Sequence, residues 1–159
     1  MDIVTQKQLN ILIRLAEADK HFAQAERDMI LQIARERNFS EVDVQRLIKN
    51  PEPIDSLGAL SNDQKFEYLI GCIQLIFIDH KVFESELIFA KSIAIKLGFR
   101  KSVVEFLIDN FDKKPHGELK SMVLLEYLWF PLSISLWILK NTTPIAENPA
   151  KHDKFAVLF

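Results

Sequence analysis

The sequence predicts an all-α fold: two tandem three-helix units packed into one bundle, followed by an apolar helical segment at the C-terminus. Three observations predict it. Apolar residues recur at i, i+3, i+4 and i+7, the signature of a helix with one buried face, and not in the alternation of strands. Capping residues stand where those stripes begin and end. The pattern also occurs twice: shifted by sixty positions, eleven residues between 9 and 48 are identical.

The first stripe is Leu9, Leu12, Ile13 and Ala16, and the second is Met29, Ile30, Ile33 and Ala34. Val44, Leu47 and Ile48 make a short third. The second copy runs through Phe66, Leu69, Ile70, Ile73, Ile76 and Phe77, then Phe89, Ala90, Ile93, Ala94 and Leu97, then Val104, Leu107, Ile108 and Phe111. Thr5 with Gln8 and Ser61 with Gln64 have capping-box spacing at helix starts, and Ser40 suits the start of the third helix. Asn38 and Gly98 occupy equivalent places where a helix should close on a left-handed residue. "NPEP" (Asn50–Pro53) stops the third helix and opens a linker to about Asn62. The expected domain is therefore 1–112, with repeats at about 5–50 and 61–112, then a hinge at 113–118 and an extension at 119–159.

The matched residues are Leu9/Leu69, Ile13/Ile73, Leu15/Leu75, Asp19/Asp79, Glu26/Glu86, Ile33/Ile93, Ala34/Ala94, Phe39/Phe99, Val44/Val104, Leu47/Leu107 and Ile48/Ile108. Nine of these pairs are apolar and belong to the faces that pack. The other two are acidic. Asp19 and Asp79 fall where the first helix of each unit ends, and Glu26 and Glu86 fall in the first turns of the next helix. Each unit is expected to fold its apolar stripes inward and to leave this acidic corner outside.

Two readings of the pair stand side by side. In one, the Asp accepts backbone N–H groups of the tight connection and the Glu sits at the positive end of the second helix dipole, so that the pair staples a corner. In the other, the corner is a binding surface, either for a divalent cation, Ca²⁺ or Mg²⁺, through Asp19 and Glu26, Asp79 and Glu86, and loop carbonyls, or for a protein partner. Glu17 and Glu84 could add charge, and His21 and His80 would suit Zn²⁺ better than Ca²⁺. The spacing is not that of an EF-hand, which needs acidic residues at alternate loop positions, a Gly at the sixth and a Glu at the twelfth.

Composition narrows the function classes. The chain has 159 residues, a net charge of −2 and 26% charged residues of mixed sign. Without a basic stripe, nucleic acid is not an expected partner. The single cysteine, Cys72, excludes an internal disulfide and Cys₄ or Cys₂His₂ zinc sites, and reads as a small buried hydrophobe. The N-terminal "MDIVTQKQLN" lacks a basic stretch followed by an apolar one, which points to the cytoplasm. Nucleotide-binding glycine loops, nucleophile elbows, HExxH and paired ExxH helices are all missing, so no enzyme is expected.

"LAEADKHFAQAERDMILQIARERNFS" and "IFIDHKVFESELIFAKSIAIKLGF" resemble the TerB-like family, helical domains named for tellurite-resistance proteins. The family pattern is an apolar helix ending in Ala-Asp-Gly, a short loop, a Glu, and an Ile/Ala-rich helix closing near Gly-Leu/Phe. Asp19 and Asp79 match the family Asp, and Glu26 and Glu86 its Glu. Gly98 and Phe99 match the closing turn, as do Asn38 and Phe39 in the first copy. The Gly after the Asp is Lys20 and His80 here. Over residues 5–112 the resemblance implies an all-helical, non-enzymatic domain of stress and tellurite-resistance systems. It also implies a candidate metal-ion site at the acidic loops and a membrane-protein complex as partner.

The resemblance stops before Ser121–Leu139, "SMVLLEYLWFPLSISLWIL", nineteen residues with Glu126 as the one charge. Three readings remain open: a further helix or helix pair on the bundle, an interface to a protein partner or a homodimer, and membrane association. Flanking Lys120 and Lys140 and the aromatic residues suit a bilayer boundary, whereas Glu126 and Pro131 oppose a span.

Overall fold

A computed structural model describes residues 2–18, 20–78 and 80–128. Those residues form seven α-helices and one isolated β-bridge, between Phe99 and Leu128. In order they are α1 (Ile3–Ala16), α2 (Gln24–Glu36), α3 (Glu41–Lys49), α4 (Asn62–Phe77), α5 (Glu84–Lys96), α6 (Val103–Asn110) and α7 (His116–Glu126). The all-α expectation holds over this range. α2 and α5 begin and end sixty residues apart, whereas the ends of α1 and α4, and of α3 and α6, depart from that offset by one or two residues.

Local chemistry accounts for most boundaries. Ser61 and Gln64 form the expected reciprocal cap: the Ser61 N–H donates to Gln64 Oε1 (2.9 Å) and the Gln64 N–H to Ser61 Oγ (3.2 Å). Ser40 Oγ accepts from the Val42 N–H at 3.2 Å and opens α3. Asn38 (φ 54) and Gly98 (φ 87) both sit in the left-handed region. Beyond them the Phe39 N–H reaches the Ala34 carbonyl (2.8 Å) and the Phe99 N–H the Ala94 carbonyl (2.9 Å), which closes α2 and α5 with the same motif. The conserved register of Ala34/Ala94 and Phe39/Phe99 is therefore the register of one C-terminal cap.

The start of α1 differs from expectation. Asp2, not Thr5, is the cap: its carboxylate accepts from the N–H groups of Val4 (3.0 Å) and Thr5 (3.2 Å). Thr5 lies inside the first turn, buried, and turns its hydroxyl back to donate to Asp2. An ionised side chain placed one residue before the first turn satisfies two end N–H groups, which a hydroxyl inside the turn cannot do.

α1 and α4 lie against each other, with α1 also touching α2, α3 and α5, and α4 touching α5, α6 and α7. Their sequences show the consequence. In α1, Leu9, Ile11, Leu12, Ile13, Leu15 and Ala16 are all buried, so the helix is apolar on nearly every side, as an enclosed helix must be. In α4 the same holds for Phe66, Tyr68, Leu69, Ile70, Cys72, Ile73, Leu75 and Ile76. Each buried Leu or Ile contributes about 1.5–3 kcal/mol of apolar transfer. The outer helices expose one face and supply Ile30, Ala34, Val44, Leu47, Ala90, Ile93, Ala94, Val104 and Leu107 to the same cluster. Phe77 stacks on Phe111 with ring centroids 5.5 Å apart.

The linker after α3 is clasped onto α1. Asn10, buried, donates from Nδ2 to the Glu52 carbonyl (2.9 Å) and accepts from the Glu52 N–H through Oδ1 (2.8 Å). Arg14 Nη1 adds a 3.1 Å bond to the same carbonyl. Further along, Leu57 is buried in the core. Residues 113–115 are turn and coil, and α7 starts at His116. It buries Leu119 and Val123, and is tied to α4 by Lys120–Asp63 (2.9 Å) and His116–Glu67 (3.1 Å). No helix among the described residues is long and apolar enough to cross a membrane. Of the apolar segment 121–139, only the part to Leu128 lies within the described residues; the readings placed on residues 129–159 lie outside them.

Candidate functional site

Each acidic corner begins as a helix runs out. After α1 the Glu17 N–H bonds the Ile13 carbonyl (3.1 Å), the Ala18 N–H the Leu15 carbonyl (2.9 Å) and the Lys20 N–H the Glu17 carbonyl (3.1 Å). After α4 the Ile78 N–H bonds Leu75 (3.1 Å) and the His80 N–H bonds Phe77 (3.2 Å). Lys20 (φ 66) and His80 (φ 61) then take the left-handed conformation at equivalent positions. A side chain there costs about 1–2 kcal/mol relative to the ordinary helical region. The turn that glycine makes at no steric cost is thus made twice by residues that oppose it. Asp19 and Asp79 themselves lie outside the described residues.

The next helix starts without a capping side chain. Ala23 (φ −65, ψ 155) and Phe83 (φ −96, ψ 143) hold the N-cap positions of α2 and α5, and neither has a side-chain acceptor to offer. The Glu at the third helical position reaches back instead. The Ala23 N–H donates to Glu26 Oε2 at 2.7 Å, and the Phe83 N–H to Glu86 Oε2 at 2.9 Å. This is one half of a capping box, made identically in both corners. Each carboxylate also sits in the first turn, at the positive end of its helix.

The placement of these carboxylates corrects the expectation of an outward acidic elbow. Glu26 is 4% and Glu86 3% exposed. Their apolar stems pack into the corner while their oxygens serve the backbone. The solvent side carries Lys20, His21 and Gln24 in the first corner, and His80, Lys81 and Glu84 in the second. Among the described residues no three His, Cys, Asp or Glu side chains come together as a metal cluster. His80 and Glu84, the added candidates in the second corner, are both exposed.

The capping role of Glu26 and Glu86 was hidden in the sequence because a capping box is sought from a Ser or Thr at its start. The remaining signal is a Glu three residues after the N-cap in both copies, at 23/26 and 83/86. A second feature without a local signal is an open cleft of about 440 Å³ beside the first corner, lined by Arg14, Glu17, Ala18, Pro51 and Phe89. The corners also differ. Phe22 carries the Arg27 guanidinium 4.9 Å over its ring, whereas the equivalent positions are Val82 and Leu87.

Two groups with chemical potential elsewhere are locked in the core. Burial pushes the Cys72 thiol up to about 12, so it stays protonated and unreactive near neutral pH. Burial, and then the charge of Asp2, likewise lifts Tyr68 to about 12, and its hydroxyl donates to the Val4 carbonyl. Compared with protein-family models, curated proteins and solved structures, the chain matches none.

Proposed function

We propose that this chain is a non-catalytic helical module of the TerB-like kind, a duplicated three-helix unit whose two acidic corners each bind a divalent cation. The observation that carries the reading is the pair Glu26 and Glu86, buried carboxylates in the same register, each with Oε2 on a backbone N–H of its own corner. A divalent cation held beside such a carboxylate would add an opposite charge to the hydrogen bonds it already accepts. The cation would be held by Asp19 with Glu26, by Asp79 with Glu86, and by loop carbonyls and water, an all-oxygen set suited to Ca²⁺ or Mg²⁺. The left-handed Lys20 and His80 support the same reading, because backbone strain kept at two equivalent loops is a mark of ligand clamps. The duplicated-unit architecture is supported by the sixty-residue offset of α2 and α5 and by the shared cap chemistry around Asn38 and Gly98.

Calorimetric titration of Ca²⁺, Mg²⁺ and Zn²⁺ into the full chain tests this. Two cations are expected to bind per chain, with heat lost in the Asp19→Asn/Asp79→Asn variant, which leaves both Glu caps in place. Absence of heat in the wild type, or equal heat in the variant, would reduce the corners to structural staples.

A further inference from the structure

Eight large apolar side chains are exposed among the described residues, and five of them fall between Ile78 and Ile95. That concentration is specific to the second unit. On α2 the outward face reads Ala25, Asp28, Gln32 and Arg35, and its polar groups are engaged. Gln24 donates to Asp28 (2.7 Å), Gln32 to Glu36 (2.9 Å), and Arg35 pairs with Glu41 (2.7 Å). At the equivalent positions α5 has Ser85, Ile88, Ser92 and Ile95, with Ile88 61% and Ile95 60% exposed. Two helices of the same length and register therefore differ on the one face that their own unit does not cover. The outward face of α2 is finished for water, whereas that of α5 carries two large exposed apolar side chains.

We propose that the α5 face is a homodimer interface, closed by a second copy of this chain lying antiparallel across it. Charge placement selects that occupant. Glu84 and Lys91 are seven residues apart, hence on one flank of the Ile88/Ile95 stripe, with Ile88 between them. A two-fold axis through Ile88 runs the two α5 helices in opposite directions and brings the same flank of each together. Glu84 of one copy then meets Lys91 of the other, and the pairing occurs twice by symmetry. Lys91 also pairs with Glu105 of its own chain at 2.6 Å, and an ammonium has three donors, so a second carboxylate can share it. Ile88 packs on its own counterpart. Ile95, about 10.5 Å further along the helix, falls over the corner that precedes α5 in the second copy, where Ile78 and Val82 are exposed. Ser85 and Ser92, small residues on the other flank, let the helices approach closely.

Sedimentation equilibrium of the full chain, with helix content followed by circular dichroism, tests the proposal. The wild type is expected to show a concentration-dependent dimer. Ile88→Asp/Ile95→Asp, which changes exposed positions only, is expected to weaken it at least about tenfold, since two carboxylates of each copy would be desolvated in the contact. Glu84→Lys, which sets like charges against Lys91, is expected to weaken it as well. A chain that remains monomeric at every concentration would overturn the proposal and leave the face to a different protein. A dimer of unchanged affinity in either variant would overturn it too, by placing self-association on another surface.

Discussion

Replacing Phe66 by alanine is expected to lower the free energy of unfolding by about 3–5 kcal/mol, the range for truncating a fully buried aromatic ring. Phe66 lies in the second turn of α4 and is 0% exposed. Its ring meets the imidazole of His116 edge-on, with centroids 5.1 Å apart, so it also anchors the start of α7. Alanine removes the ring from a fully buried site and with it the contact to His116 of α7. Phe66→Leu keeps most of the volume and should cost less than about 1.5 kcal/mol. Urea denaturation followed by helical circular dichroism reads both. A loss below about 1 kcal/mol for Phe66→Ala would mean that α7 is not docked on α4 as described.

The second large effect is expected at the corner. Glu86→Ala should destabilise by about 1–3 kcal/mol, because the Phe83 N–H loses its acceptor in a part-buried setting and α5 loses the negative charge at its positive end. Glu26→Ala should behave alike, since Ala23 and Glu26 repeat the bond. Glu86→Gln separates the two contributions. Its amide oxygen can still accept from the Phe83 N–H, so a smaller loss assigns the effect to the hydrogen bond, and an equal loss assigns it to charge. Denaturant midpoints measured without added divalent cation keep this distinct from ligand binding. An Ala variant as stable as wild type would remove the cap from the account.

How far the fold was legible followed from how local its causes are. The caps at Ser40 and Ser61 and the left-handed closures at Asn38 and Gly98 depend on residues within five positions, and each was readable from spacing. The stripes were readable too, although Met29, Ile33, Ile48, Phe77, Phe89, Ile108 and Phe111 are only partly buried. At the first helix the spacing misled, because Asp2 and Thr5 compete to cap it and Asp2 wins through charge and position. What lay outside local reach was tertiary. The Asn10–Glu52 clasp joins residues forty-two apart, and nothing around either residue announces the other. The burial of Glu26 and Glu86 was equally hidden, since a Glu in a first helical turn is ordinarily solvated. Only the pairing of each Glu with a non-capping Ala or Phe three residues earlier hints that its side chain turns inward.

The most direct measurement is an anomalous difference map from crystals of the full chain grown with Mn²⁺, a divalent cation that accepts the same oxygen ligands as Mg²⁺. One peak is expected in each corner, ligated by Asp19 and Glu26 in the first and by Asp79 and Glu86 in the second. A map without a peak at either corner, with Glu26 and Glu86 bonded only to their own backbones, would contradict the cation proposal.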